Sequence, residues 1–145
     1  MERLQGYRTL VRSLIVALPG ILQAAGVLVV VLMIYAITGV YLFRDVVYQE
    51  FINRHANFQD FTLAMTTLFR CATGESYNGI LHELMVKESD GLCSAAAGNC
   101  GTWVAAPYFF TFVMIVQMIL LNMFIAVTLA SYTDVSMSEH RLISR

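Results

Sequence analysis

Charged residues are scarce in this chain, and long stretches contain none at all. Only 13% of its 145 residues are charged, against about 25% in typical soluble domains, and 58% are hydrophobic. No charged residue occurs between Arg12 and Arg44, and none occurs between Asp90 and Asp134. Each gap exceeds the roughly 20 apolar residues that a transmembrane helix needs. A buried hairpin in a soluble protein is disfavoured, because soluble helices rarely stay apolar on every face for so long.

Other absences exclude further classes of protein. The net charge is −1, so the chain lacks the basic surface with which proteins bind nucleic acid. Arginines near the amino terminus do precede an apolar run, but that run is too long for a cleavable signal peptide and lacks a clear cleavage site. The prediction is an integral membrane protein whose first span acts as its own insertion signal.

The distribution of basic residues predicts the orientation in the membrane. Two spans leave both termini on the same side. Three arginines lie within the first twelve residues and two within the last twelve, whereas segment 44–90 holds four basic residues against seven acidic ones. Because basic residues accumulate on the cytoplasmic side, both termini are expected in the cytoplasm and the acidic middle segment outside the cell. The membrane is expected to be the plasma membrane.

The cysteines give weak support for an external segment. Cys93 and Cys100 flank the small-residue stretch SAAAGN, and an oxidising exterior would let them pair. Metal binding is the rival interpretation, although the chain has no CxxC motif and no nearby histidine at ligand spacing. Cys71 stands apart from both and is expected to be a packed residue.

The sequence divides into five predicted segments. A helix along the cytoplasmic membrane surface covers residues 1–20 and ends where Pro19 and Gly20 interrupt the helical pattern. An outer transmembrane helix covers 21–43, and an external segment with a re-entrant loop covers 44–107. An inner transmembrane helix at 108–132 and a cytoplasmic tail at 133–145 complete the chain.

The segment between the spans contains two short apolar stretches separated by the turn ATGES. Asp60 is a plausible N-cap for a helix to Cys71, which is too short to cross a membrane, and a second short helix is expected over Tyr77–Val86. Irregular backbone at membrane depth is tolerated only where protein buries it or where it lines a water-filled cavity. A re-entrant loop with Glu75 at its turn is typical of an ion pore.

Two motifs carry a family resemblance. LFRCATGE, followed by an aromatic residue two positions on, and LLNMFIAVTLASY closely resemble the fourth pore repeat of voltage-gated calcium and sodium channels, on the calcium side above all. The resemblance covers nearly the whole chain. It implies an all-α membrane protein in which two transmembrane helices flank a re-entrant pore-helix, filter and pore-helix loop, forming a quarter of a tetrameric or four-repeat pore.

The resemblance also implies roles for individual residues. Glu75 would belong to a ring of acidic or polar side chains that binds Ca²⁺ transiently. The family has tryptophan where this chain has Tyr77, and no arginine ladder of a voltage sensor precedes the pore. The implied selectivity filter is Ala72, Thr73, Gly74 and Glu75, the packing residues are Arg70, Cys71 and Tyr77, and the gate residues of the inner helix are Asn122, Ile125, Val127 and Leu129.

The implied partners are membrane lipid, three further pore repeats or identical subunits, and voltage-sensor segments if the chain is part of a longer one. No cofactor is expected beyond the permeant Ca²⁺ or Na⁺. Glu83, Glu88 and Asp90 are expected to be solvated acids of the outer vestibule. The alternatives are a two-span adaptor membrane protein with a disulfide-closed external loop, and an enzyme with a Cys71–His82 dyad, for which no orienting group or oxyanion site is apparent.

Overall fold

A computed structural model describes residues 2–143 of the chain, and within that range it contains helices and turns but no β-strand. The predicted all-α class is therefore confirmed. Residues Met1, Ser144 and Arg145 fall outside the described part. The first residue of the predicted surface helix 1–20 and the last two residues of the predicted tail 133–145 therefore lie outside it too. The four helices are α1 (Glu2–Phe43), α2 (Phe61–Ala72), α3 (Tyr77–Glu83) and α4 (Ala105–Ile143), with short 3-10 turns at Glu88–Asp90 and Ala95–Ala97.

Two of the helices are long and apolar enough to cross a membrane. Leu14–Phe43 of α1 has a mean hydropathy of 2.5 over its most apolar window, and Ala105–Ala130 of α4 reaches 2.4. Only 6% and 11% of these windows are buried inside the chain, whereas the core helix of a soluble protein would be mostly buried. The exposed apolar surface therefore requires lipid or further protein around it.

Both long helices extend past their predicted ends. Pro19 lies inside α1, so the predicted interruption at Pro19–Gly20 is wrong. Proline removes one hydrogen bond from a helix interior, and membrane helices tolerate that loss. At the other end, α4 continues from the predicted limit at Tyr132 to Ile143, because that stretch contains no proline or glycine to end it.

The chain forms two compact units, of which the one made of residues 29–117 contains the re-entrant segment. The core of this unit is a cluster of aromatic rings contributed by α1, the following loop and α4. The ring of Tyr108 lies 5.1 Å from that of Phe43, and its hydroxyl donates to the Tyr35 carbonyl at 2.7 Å. Gly39 makes this packing possible, because a Cβ there would lie 2.6 Å from the Phe58 ring.

Within the described residues, the second unit consists of residues 2–28 and 118–143. Within it α1 and α4 meet at small residues: a Cβ built on Gly20 would lie 3.8 Å from the Cβ of Ala126, an ordinary contact distance. Ala17 is buried here, whereas Leu14, Leu22 and Phe124 are exposed. This unit thus has an apolar surface of its own.

Candidate functional site

The re-entrant segment begins with α2, and its start agrees with the sequence prediction. Asp60 has extended backbone and its Oδ1 accepts a hydrogen bond from the Leu63 amide at 2.9 Å, as an N-cap does. The 12 residues of α2 span about 18 Å, well short of the roughly 30 Å hydrocarbon core of a bilayer. The Thr67 hydroxyl donates to the Asn57 carbonyl at 3.3 Å and ties the buried face of α2 to the preceding loop.

A tight turn ends α2 and reverses the chain. The Thr73 hydroxyl donates to the Arg70 carbonyl at 2.6 Å, and the Gly74 amide donates to the Cys71 carbonyl at 3.0 Å. Gly74 has a φ of +86°, which glycine adopts without the steric penalty of a side chain. Ser76 has a φ of +58° and is the one non-glycine residue of the described chain in the left-handed region.

Within the described part of the chain, this turn leaves the carbonyl groups of residues 72–75 without a hydrogen bond. The bonds around it use the carbonyls of Phe69, Arg70 and Cys71 as acceptors. None of the contacts described for residues 2–143 reaches the carbonyl oxygens of Ala72, Thr73, Gly74 or Glu75. Free carbonyl oxygens beside an acidic side chain are the hard ligands that Ca²⁺ and Na⁺ accept.

Glu75 projects from the turn and pairs with Arg70. Arg70 donates to Glu75 Oε1 from Nε at 3.0 Å and from Nη2 at 2.7 Å, and its Nη2 also lies 3.3 Å from Ser76 Oγ. The Glu75 side chain is 62% exposed and that of Arg70 is 40% exposed, so the pair is open to solvent. The sequence predicted a structural role for Arg70 at the end of the helix but not its contact with Glu75.

The second short helix, α3, is shorter than predicted because its end is fixed from outside. It stops at Glu83 rather than Val86. The Thr102 amide donates to the Leu84 carbonyl at 2.8 Å and the Gly101 amide donates to the Val86 carbonyl at 2.9 Å, so residues 84–86 pair with another segment. A Cβ on Gly101 would lie 2.2 Å from the Leu84 oxygen, which requires glycine at this close approach.

Glu83 is not the solvated vestibule acid that the sequence predicted. Its half-buried carboxylate accepts hydrogen bonds from the amides of Glu50, Phe51 and Ile52 at 2.6–3.0 Å. Gln49 Nε2 donates to the Glu83 carbonyl at 3.2 Å. Glu83 therefore joins α3 to the loop that follows α1. No local pattern marks this role, because the partners lie more than thirty residues away in the sequence.

The two remaining predicted vestibule acids are exposed, yet each also binds backbone. Asp90 Oδ2 accepts from the Lys87 amide at 2.8 Å, and Glu88 Oε1 accepts from the Ala95 amide at 3.1 Å. These bonds order the external loop. In the same loop the structure joins Cys93 to Cys100 through a disulfide with a Cα–Cα distance of 5.1 Å.

Cys71 is buried in the wall of the re-entrant segment, at the end of α2. Burial raises the pKa of its thiol from 9.0 to about 12, an effect only partly offset by the nearby Arg70 charge. A thiol that stays protonated at neutral pH is a poor nucleophile. This weighs against the alternative of a Cys71–His82 catalytic dyad. Tyr77, the first residue of α3, is exposed in the single chain, and its packing role stays a prediction.

The predicted gate residues all lie on α4, in the unit that excludes the re-entrant segment. Asn122, Ile125 and Leu129 are exposed, and spacings of three and four residues place them on one helical face. Val127 is half-buried and lies off that face. The predicted filter residues 72–75 and the predicted gate residues therefore belong to different compact units.

Side chains alone form no metal site in the described part of the chain. Within residues 2–143, no three histidine, cysteine or acidic side chains come together in a way that could hold a metal ion. Glu75 is the one carboxylate at the turn.

Comparison with known proteins places this arrangement in a family. The chain is 34% identical over 139 residues to sodium channel protein 60E of Drosophila melanogaster, an alignment that covers 93% of this chain and 5% of the fly protein. It is 33% identical to the muscle calcium channel subunit alpha-1 of Musca domestica and 34% identical to the voltage-dependent L-type calcium channel subunit alpha-1S of Mus musculus, covering 88% and 91% of this chain and 8% of each relative. The chain therefore spans less than a tenth of these relatives.

These alignments confirm the predicted resemblance to sodium and calcium channels. The relatives named above are channels, not enzymes. Two membrane-length helices fit an integral membrane protein of this kind. The family model described as ion transport protein matches residues 1–139. The chain belongs to the ion transport protein family.

Proposed function

We propose that this chain is the pore-forming part of a cation channel, selective for calcium and gated by voltage in its full context. One observation carries the proposal. A helix too short to cross a membrane ends in a turn that presents an exposed carboxylate, Glu75, and the carbonyl groups of residues 72–75, which accept no hydrogen bond from the described residues 2–143. Two helices of membrane length flank that segment. An adaptor protein has no need of such a turn between its spans.

The proposed filter works by charge repulsion that a cation relieves. Four Glu75-like side chains around one axis would repel each other, and two unit charges 4 Å apart interact by roughly 4 kcal/mol at an effective dielectric of 20. A divalent cation offsets this repulsion better than a monovalent one. The carbonyl oxygens of Ala72 and Thr73 would line the passage beside the ring. Repulsion between successive ions then allows each to leave.

The proposal includes the surroundings of the loop. Three further pore loops, from repeats of a longer chain or from identical subunits, complete the ring, and voltage-sensor segments supply gating. Exposed apolar side chains of α1 and α4 face lipid or those partners. With both termini in the cytoplasm of a plasma-membrane protein, the Cys93–Cys100 loop lies outside, where its disulfide is stable. Asn122, Ile125, Val127 and Leu129 are the proposed gate.

Chemical access separates a pore from a two-span adaptor. We expect Glu75→Cys in the assembled channel to react with a membrane-impermeant cationic thiosulfonate applied from outside, and the reaction to block the current. Calcium should slow the reaction, because the calcium ion and the cationic reagent need the same passage. Glu88→Cys on the external loop should react equally fast with or without calcium and leave the current intact. Equal reaction of Glu75→Cys in both conditions, without block, would favour the adaptor.

A further inference from the structure

The ion pair between Arg70 and Glu75 uses only half of the carboxylate. Both guanidinium donors reach the same oxygen, Oε1, at 3.0 and 2.7 Å. Among the contacts described for residues 2–143, none is made to Oε2. With 62% of the Glu75 side chain exposed, this second oxygen is open to an approaching cation. The filter acid is thus partly neutralised before any ion arrives.

The position of Arg70 is set by the same turn that presents Glu75. The Thr73 amide and hydroxyl both donate to the Arg70 carbonyl. At the far side of the turn, Arg70 Nη2 lies 3.3 Å from Ser76 Oγ, in the residue with left-handed backbone. Backbone and side chain of Arg70 therefore contact the residues on both sides of Gly74. These contacts hold the guanidinium beside the Glu75 carboxylate.

We propose that Arg70 is a specificity-determining residue, which competes with the permeant cation for the Glu75 carboxylate. The inference rests on the proposed function of Glu75. A guanidinium cannot lose its charge at physiological pH, so the competition is permanent. It lowers the affinity of this part of the ring for a divalent ion more than for a monovalent one. The consequence is weaker calcium binding and faster calcium exit.

The exposure of the pair limits the size of the effect. Solvent-exposed ion pairs contribute little, and salt screens them further. We therefore expect removal of the guanidinium to tighten calcium binding by about two- to fivefold rather than by orders of magnitude. An effect of that size is measurable as calcium block of a sodium current.

The test compares four assembled channels: wild type, Arg70→Gln, Glu75→Gln and the double variant. The quantity measured is the external calcium concentration that halves the sodium current. Arg70→Gln should lower it about two- to fivefold, and Glu75→Gln should raise it. In the Glu75→Gln background, Arg70→Gln should have no further effect, since Arg70 acts through that carboxylate. A merely structural role would not produce this dependence on the background.

The outcomes distinguish the two proposals. An unchanged or raised half-blocking concentration in Arg70→Gln, with Glu75→Gln behaving as expected, would overturn the role of Arg70 alone. An equal shift by Arg70→Gln in both backgrounds would also overturn it. A Glu75→Gln channel with wild-type block would overturn the proposed filter itself. Arg70→Met, which keeps much of the apolar stem, repeats the comparison if Arg70→Gln does not reach the cell surface.

Discussion

The Glu83 carboxylate lies 2.6 Å from the backbone amide of Ile52, and the same group accepts from Glu50 and Phe51. Three consecutive amides thus converge on one side chain at the end of α3. This contact fixes the second short helix, which is only seven residues long and has no side-chain cap at Ser76. The position of the proposed filter turn, residues 72–75, therefore depends on a residue outside it.

Replacing Glu83 should loosen the re-entrant segment. Hydrogen bonds to charged groups contribute about 1.5–3 kcal/mol, and Glu83 is half-buried, so Glu83→Ala should cost about 2 kcal/mol of unfolding free energy. Glu83→Gln should lose much of the same stability, because its NH₂ group cannot accept from an amide. Thermal unfolding in detergent measures the change. The matched control is Glu88→Ala, which removes a single exposed bond and should cost less than about 0.5 kcal/mol. Equal losses in both variants would contradict the assignment.

Gly39 should tolerate no side chain. A Cβ at this position would lie 2.6 Å from the Phe58 ring and 2.7 Å from the Tyr108 hydroxyl, so Gly39→Ala must displace buried aromatic groups. Overpacking of this kind costs about 1–3 kcal/mol. Gly26 on the same helix is the control, because nothing lies within 4 Å of a Cβ there. We expect thermal unfolding to show a lower midpoint for Gly39→Ala and an unchanged or higher one for Gly26→Ala; the reverse order would refute the packing described.

Cys71 should resist alkylation as long as the chain is folded. Burial raises the pKa of the thiol to about 12, so the thiol is protonated at pH 8. Because the side chain is buried, reagents in solution also cannot reach it. N-ethylmaleimide should label it only after denaturation, as mass spectrometry can show. Since the folded pKa exceeds the unfolded value of 9.0, this thiol's contribution to stability is complete below pH 9 and is lost progressively up to about pH 12. Rapid labelling of the native chain at pH 8 would show that Cys71 is not buried.

Local patterns in the sequence were enough to predict the helical part of the fold. Charge-free runs predict the long helices, and Asp60 and the ATGES turn predict α2 and the reversal after it. The interruption at Pro19 was wrong because proline weakens a membrane helix without ending it. The end of α3 was misplaced because residues 84–86, which follow it, pair through the Leu84 and Val86 carbonyls with the amides of Thr102 and Gly101.

The site could be predicted only in part. Motif resemblance predicts a filter at Glu75 and its neighbours, which are contiguous in the sequence, and that role stays a prediction. The contacts of Glu83 with residues 50–52 depend on the three-dimensional fold and leave no periodic signal. The pairing of Arg70 with Glu75 likewise depends on the left-handed backbone at Gly74 and Ser76, which bends the chain back over the end of α2.

The most direct test of the proposed filter is the reversal potential of the assembled channel with calcium outside and sodium inside. Glu75→Gln removes one charge from the ring and keeps nearly the same shape, so we expect the reversal potential to move towards that of a sodium-preferring pore. Glu88→Gln, an exposed acid on the external loop, should leave it unchanged. A Glu75→Gln channel that conducts with the wild-type reversal potential would contradict the assignment of Glu75 to the filter.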